Sequence, residues 1–158
     1  MANTQSMVTS FLGELMTATH NFGTAPIRAA TTADTFKAAL YLTSATINAS
    51  TTAYSATGEV SGTGYSAGGV TVTNATAPLT TNSSATAGVA YWTPSASIAY
   101  TTVTLTTAFD CVLIYNSTQS NKAVSVHTFG SQTITAGTFT LTMPSNTTST
   151  ALLRLATT

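Results

Sequence analysis

The ionisable side chains that could perform chemistry are few and lie far apart in the sequence. The chain has two histidines, one cysteine and four acidic residues among its 158 positions. A catalytic nucleophile or base needs a partner that orients it, and no spacing here provides one. A catalytic pair of His127 with a serine or with Cys111 is conceivable in space, but nothing in the spacing suggests one. We therefore expect no catalytic residue and no enzyme.

The same residues match no metal-binding motif. His20, Cys111 and His127 are separated by far more than the short ligand spacings of zinc sites. The carboxylates are also isolated, so a glycosidase pair would exist only if the fold brought two of them together across a cleft. These carboxylates are Glu14, Asp34, Glu59 and Asp110. We expect neither a metal nor a cofactor.

One glycine-rich motif, Gly-Thr-Gly-Tyr-Ser-Ala-Gly-Gly, occupies residues 62–69. It departs from a dinucleotide-binding fingerprint, because its third glycine comes one position late and a strand-like segment follows instead of a helix. It also lacks the Lys-Ser/Thr pair of a phosphate-binding loop. We interpret it as a tight loop whose glycines adopt positive φ or allow backbones to approach closely.

The charge content excludes several classes of function. Only 5% of the residues are charged, and the four basic and four acidic side chains cancel. A nucleic-acid-binding protein needs clustered Lys and Arg, so we expect no nucleic-acid partner. No segment reaches the roughly 18 to 20 apolar residues of a membrane span, and we expect no membrane partner. A surface with so little charge repulsion favours a protein that works within an assembly.

The remaining composition indicates a folded, β-rich chain. Apolar residues make up 43% of the sequence, and threonine alone makes up roughly a quarter. Threonine is β-branched and suits the pleated surface of a strand. Disordered chains, in contrast, combine few apolar residues with high net charge.

Hydrophobic periodicity predicts a helix followed by strands. Met7, Phe11 and Leu15 recur at four-residue spacing, which indicates a helix in an N-terminal arm over residues 1–22. From Thr35 onward the apolar period changes to two, and turn residues predict hairpins at 116–121 and 136–137. The predicted strands cover residues 36–42, 70–73, 88–92, 101–106, 109–115, 123–129, 132–135, 138–143 and 151–156.

Short strands separated by frequent turn signals are typical of an all-β fold. We predict a single β-sandwich, of jelly-roll or immunoglobulin-like type, over residues 35–156. With the short N-terminal helix, the whole chain (residues 1–158) forms one domain, and neither an internal repeat nor a linker divides it.

Two motifs resemble a family of small virion structural proteins of tailed bacteriophages. The first joins FKAALYLTS (residues 36–44) to TTAYSATGEVSGTGYSAGG (residues 51–69), and it is similar to that family's F-K-x-A-L-Y strand and its E-V-x-G-x-G-Y loop. The second, LIYNSTQSNK (residues 113–122), resembles the family's L-I-Y-N hairpin. The resemblance spans roughly residues 7–155 and carries no catalytic residues.

The resemblance implies a capsid cement or decoration protein, located on the virion surface and assembled in the bacterial host cytoplasm. Its expected partners are the major capsid protein and further copies of itself. We expect the helix and the glycine-rich loop to supply the contacts, through Phe11, Leu15, Tyr54, Glu59 and Tyr65.

Two other functions remain open at this point. The chain could be a tail, neck or fibre-base component that is present in few copies. It could also be a carbohydrate- or receptor-binding module, and Trp92 would then have to be exposed for stacking on sugars.

Overall fold

The computed structural model describes residues 3–16, 19–20, 22, 33–73, 78–81, 88–94 and 97–156. Strands account for most of the regular structure in these residues, and the one helix among them is short. In chain order the elements are β1 (Ser6–Met7), α1 (Thr9–Met16), β2 (Phe36–Leu42), β3 (Val70–Val72), β4 (Leu79–Thr80), β5 (Val89–Trp92), β6 (Ile98–Asn116), β7 (Lys122–Leu141) and β8 (Leu153–Ala156).

The strands form two antiparallel sheets. The larger has five strands in the order β1-β7-β6-β2-β3, and the smaller has three in the order β4-β5-β8. The all-β prediction is therefore confirmed. The finer prediction of a jelly-roll or immunoglobulin-like sandwich is not confirmed by this arrangement.

The centre of the larger sheet is the pair formed by β2 and the second half of β6. These strands run antiparallel, from Phe36 opposite Asn116 to Tyr41 opposite Cys111. Neighbouring residues that point to opposite faces, such as Ala38 and Ala39, are both fully buried. A strand buried on both faces has an almost continuous apolar sequence, which explains the runs in both segments.

The hairpin between β6 and β7 turns where the sequence predicts. Turn residues 117–121 follow Asn116, and Ser120 and Asn121 take φ values of 53° and 58°. Asn tolerates this left-handed conformation better than most residues do. This prediction is confirmed, and β6 and β7 together form a two-stranded ribbon along the whole length of the sheet.

The second predicted hairpin, with a turn at 136–137, is wrong, because β7 continues through these residues. The register changes from Val103 opposite Gly137 to Leu105 opposite Ile134, so two residues of β6 face three of β7. Ala136 has a φ of 47° in this β-bulge. Ala-Gly here bends a paired strand rather than reversing the chain, because β6 continues alongside.

The prediction of one helical arm over residues 1–22 is not confirmed. Ser6 and Met7 pair with Val126 and Ser125 of β7, so the chain is a strand where the four-residue spacing predicts the helix start. The helix is confined to α1, and residues 1, 2, 17, 18 and 21 lie outside the described part. Because an isolated short helix is marginal in water, pairing with the sheet edge competes successfully at its start.

An aromatic cluster connects the smaller sheet to the larger one. Trp92 of β5 is 3% exposed, and its ring lies 4.8 Å from that of Phe22 and 6.4 Å from that of Phe36. Phe11 and His20 pack against the same group, with ring centroids 4.9 Å apart. Large aromatic side chains supply much of the buried apolar area in a small core, so this cluster holds the two sheets together.

The loop between β2 and β3 folds back over the sheet. Leu42 donates a backbone hydrogen bond to Gly58 (2.9 Å), and Val60 donates one to Leu40 (3.0 Å). The loop ends at Gly69, which has a φ of 72° and lies so close to β2 that a Cβ atom would overlap the carbonyl oxygen of Ala38. Only glycine fits this position, as the sequence motif predicts.

We expect Gly69→Ala to lower the free energy of unfolding by about 3 kcal/mol or more, because it adds positive-φ strain to a backbone clash. Denaturant unfolding measures the change. Gly130→Ala is the control, because a Cβ atom there would contact nothing within 4 Å. Equal stability of the two variants would contradict the described packing of the loop on β2.

Candidate functional site

Three of the five residues expected to make contacts lie together around Glu59. Tyr54 donates a hydrogen bond to Glu59 Oε2 (2.6 Å), and Tyr65 donates one to Oε1 (2.7 Å). The backbone amide of Gly68 also donates to Oε1, at 2.8 Å. We call Glu59, Tyr54, Tyr65 and this amide the Glu59 network. This network accounts for the two tyrosines and the glutamate in residues 51–69, because the carboxylate hydrogen-bonds to both ends of the loop.

The Glu59 network is also attached to the sheet. The Tyr65 hydroxyl accepts a hydrogen bond from the amide of Leu40 in β2 (3.0 Å). The ring of Tyr54 stacks on Tyr115 of β6 at 4.7 Å, and the Tyr115 hydroxyl donates to the carbonyl of Gly68 (2.8 Å). Hydrogen bonds to a charged acceptor are stronger than neutral ones, so one half-buried carboxylate fixes the loop on two strands.

The tyrosines of this network act as neutral donors. Burial, together with the hydrogen bond to Glu59 and its charge, raises the pKa of Tyr54 to about 12. The same causes raise the pKa of Tyr65 further. Neither hydroxyl therefore ionises near neutral pH, and the network holds the loop in place rather than providing a base.

A second polar network surrounds His20, whose side chain is fully buried. The ring Nε2 lies 2.7 Å from Glu14 Oε2, and Nδ1 lies 3.0 Å from Asn116 Nδ2. Because an amide nitrogen only donates, Nδ1 is the acceptor and Nε2 carries the proton towards Glu14. Lys122 approaches the other Glu14 oxygen at 2.5 Å. We call Glu14, His20, Asp34, Asn116 and Lys122 the His20 network.

Asn116 is the centre of the His20 network. Its Nδ2 also donates to Asp34 (2.8 Å), and its Oδ1 accepts hydrogen bonds from the amides of Thr118 and Gln119, both at 3.1 Å. The side chain thus binds the N-terminal segment and shapes the β6–β7 turn at once. A histidine held by a carboxylate resembles part of a catalytic triad, but the other ring nitrogen faces an amide rather than a hydroxyl or thiol.

His127 lies beside Ser125, because residues two apart in a strand share a face. Its Nε2 lies 3.0 Å from Ser125 Oγ on the same face of β7. Ser125 is only 3% exposed, and in the described part of the chain no carboxylate orients the His127 ring. Cys111 is fully buried, and burial and the charge of Asp110 raise its pKa to about 12. This geometry does not activate a nucleophile.

An apolar groove lies between the N-terminal segment and the smaller sheet. It has a volume of about 280 Å³ and one charged residue, Arg154, in its lining. Leu155 in the groove is 60% exposed and Met7 is 36% exposed, while Leu79 on the neighbouring β4 is 44% exposed. The groove is lined by Met7, Leu15, Phe22, Pro78, Ala90, Tyr91, Trp92, Leu153, Arg154 and Leu155.

The remaining two contact residues are placed differently from each other. Leu15 is half-buried and lies in the apolar groove, so part of it can still reach a partner. Phe11 is fully buried in the core of its own chain, so it offers no contact surface in this fold. The sequence does not reveal the groove, because its walls come from distant segments; the alternation of Leu153 and Leu155 is the only local signal.

Within the described residues, no cluster of His, Cys, Asp or Glu could hold a metal ion. The same residues contain no helix that is long and apolar enough to span a membrane. Comparison of the chain with protein-family models, with curated proteins and with solved structures finds no match.

We expect Glu59→Gln to lower the free energy of unfolding by about 2 kcal/mol, because the amide cannot accept all three hydrogen bonds. Denaturant unfolding of Glu59→Gln, Tyr54→Phe and the double variant measures the coupling. Tyr54→Phe should cost less stability in the Glu59→Gln background. Tyr91→Phe is the matched control, with a change near zero. Additive effects of the two substitutions would contradict the Glu59 network.

Acidification should lower the free energy of unfolding. Burial lowers the pKa of His20 more than Glu14 raises it, so the unfolded chain binds the proton more tightly and stability falls as the pH drops below 6.5. Burial raises the pKa of Glu14, but hydrogen bonds from Lys122 and His20 and their charges give a net lowering, so further stability is lost below 4.5.

Denaturant unfolding between pH 7.5 and pH 5.5 (about one unit on either side of the ordinary histidine value) tests this dependence. Burial also lowers the pKa of His127, so both histidines contribute to the slope. His20→Gln should flatten the slope in part, and His127→Gln should leave the contribution of His20 in place. An unchanged slope in His20→Gln would show that the folded chain does not hold His20 as a neutral ring.

Proposed function

We propose that the chain is a structural protein of a tailed-bacteriophage particle, and that it acts as a capsid cement or decoration protein. In this role a β-sandwich of the chain bridges neighbouring subunits of the major capsid protein on the virion surface. The resemblance of residues 36–69 and 113–122 to small virion proteins supports this proposal. The partners are the major capsid protein and further copies of the chain.

The observation that carries the proposal is how the fold uses its few charges. All four carboxylates accept hydrogen bonds inside the chain: Glu14 from Lys122, Asp34 from Asn116, Glu59 from two tyrosines, and Asp110 from Asn3 at 2.6 Å. Among the described residues, Arg154 is exposed and the Lys122 side chain is 39% exposed, and the rest of the exposed surface is mainly hydroxyls and apolar side chains. Contacts with a partner must then rest on apolar area and backbone hydrogen bonds rather than on ion pairs.

The apolar groove supplies a contact surface of this kind. Its exposed Leu155 and half-buried Leu15 would pack against an apolar ridge of the capsid lattice, where burial of aliphatic area gives the binding energy. The Glu59 network remains half-buried and could form a second contact through Tyr54 and Tyr65. Two contacts on different parts of the chain would suit a protein that bridges subunits.

The alternative functions differ in what supports them. A tail, neck or fibre-base component would use the same surface in few copies per particle. The carbohydrate-binding alternative required an exposed Trp92, but this ring is buried in the aromatic cluster. No described feature favours it over capsid binding.

Quantitative mass spectrometry of purified particles tests the proposed role. We expect a copy number close to that of the capsid lattice, measured against the major capsid protein. A handful of copies per particle would exclude the cement role and favour the neck or tail.

A binding assay with particles that lack the chain tests the contact surface. Leu155→Lys should weaken binding about tenfold, because it charges the most exposed leucine of the groove. Thr107→Lys, at an exposed position of β6 that belongs neither to the groove nor to the Glu59 network, is the control and should bind as the unmodified chain does. If both variants bind equally well, the groove does not contact the capsid.

A further inference from the structure

One edge of the long β6–β7 ribbon is open over most of its length. In the described part of the chain, the outer edge of β7 is covered near its start only. β1 pairs with Ser125 and Val126, Val8 donates its amide to the carbonyl of Val124, and residues 52–54 form backbone hydrogen bonds with residues 121–123. Beyond these residues β7 continues to Leu141, and its described partner there is β6 alone. Residues 130–133 are all exposed, and Thr138 and Thr140 are also exposed. The backbone N–H and C=O groups on this side therefore have no strand beside them in the described part of the chain.

The opposite edge of the same ribbon is covered. Thr104 of β6 donates its amide to the carbonyl of Thr63 (2.9 Å), and the two residues form an isolated β-bridge. The loop approaches so closely that a Cβ atom at Gly64 would overlap the carbonyl oxygen of Thr102. The glycine-rich loop therefore covers the β6 edge. No described segment covers the β7 edge beyond its first residues.

The open edge lacks two of the usual devices that prevent strand pairing, charged residues and proline. Natural proteins protect exposed edges with charged residues, proline or bulges. Residues 128–143 contain no charged residue and no proline. The bulge at Ala136 divides the edge, but after it Gly137–Leu141 runs without a further bulge in β7. A short, regular and uncharged edge of this kind is a template for another strand.

We propose that this edge pairs with the same edge of a second copy of the chain, so that two larger sheets join into one across a two-fold axis. An antiparallel edge is self-complementary, because a two-fold axis places its donors opposite its own acceptors. Self-pairing also places each side chain opposite one from the same segment. A charged segment would then face like charges, whereas this one has none.

The side chains of the segment fit such a pairing. Thr138 and Thr140 are exposed, and cross-strand threonine pairs stabilise antiparallel sheets. On the other face, Phe139 is half-buried against Phe109, with ring centroids 5.3 Å apart. Pairing about Phe139 would extend this apolar layer from one copy into the next.

This inference rests on the proposed function in one respect: it names the surface through which copies of the virion protein join. It is tested on the purified full-length chain without particles, so its failure and the failure of capsid binding are distinguishable. A strand from a different protein could occupy the edge instead, and the experiment separates that outcome from the dimer.

Analytical ultracentrifugation over a series of concentrations measures the self-association. We expect a monomer–dimer equilibrium in the unmodified chain. Thr138→Lys/Thr140→Lys should raise the dissociation constant of the dimer about tenfold or more, since it places lysines opposite lysines. Thr80→Lys, an exposed threonine on the edge strand β4 of the smaller sheet, should leave that constant unchanged.

Hydrogen exchange supplies a measurement that requires no variant. Amides of residues 137–141 should exchange more slowly at concentrations where the dimer forms, while those of residues 79–80 should not change. A chain that stays monomeric throughout would overturn the proposal and leave the edge for a different protein. A dimer that leaves the exchange of residues 137–141 unchanged, or that survives the double lysine variant intact, would overturn it as well.

Discussion

β2 and the second half of β6 are buried on both faces, so other parts of the chain must cover both sides of that pair. The glycine-rich loop lies over the pair from one direction, and the N-terminal segment packs with its aromatic residues around Phe36. Regular structure in these two segments is short, the longest element being the eight-residue α1, so a sheet or a long helix satisfies few of their polar groups. Specific side chains must hold both in place.

The two polar networks are the solution to this constraint. Glu59 accepts hydrogen bonds from hydroxyl and amide donors of its loop, and Tyr65 links this network to β2. The hydrogen bond between Asn116 and His20 attaches the N-terminal segment to the start of the β6–β7 turn. Each network contains a carboxylate, because a charged acceptor satisfies several donors at once. A chain with only four acidic residues therefore uses them inside its fold, and its surface becomes nearly uncharged as a consequence.

That surface determines how the protein can meet other molecules. With so few charges, electrostatic steering of a partner over long distances is weak, and binding depends on apolar burial and on backbone hydrogen bonds. The described chain offers one surface for each: the apolar groove beside Leu155, and the open edge of β7. In the proposed cement role, the groove would attach the chain to the capsid and the open edge would join copies of the chain.

The sequence by itself determined the local features. The apolar run predicted β2 at Phe36–Leu42, and the turn residues predicted a hairpin turn at 116–121, where the structure has it at 117–121. Both are predictable because burial pattern and turn chemistry are properties of neighbouring residues. The small number of charges likewise predicted a neutral surface. The glycine-rich loop was recognised as a close backbone approach, since few other roles suit that spacing.

Only the tertiary structure decided the rest. Ala136 and Gly137 form a bulge because β6 runs beside them, and Met7 lies in a strand because β7 offers an edge. The partners of Glu59 and His20, the burial of Phe11 and the walls of the groove all depend on segments that are distant in the sequence. The local sequence pattern limits a segment to a few possible secondary structures. The contacts it makes with distant segments decide which of these has the lowest free energy.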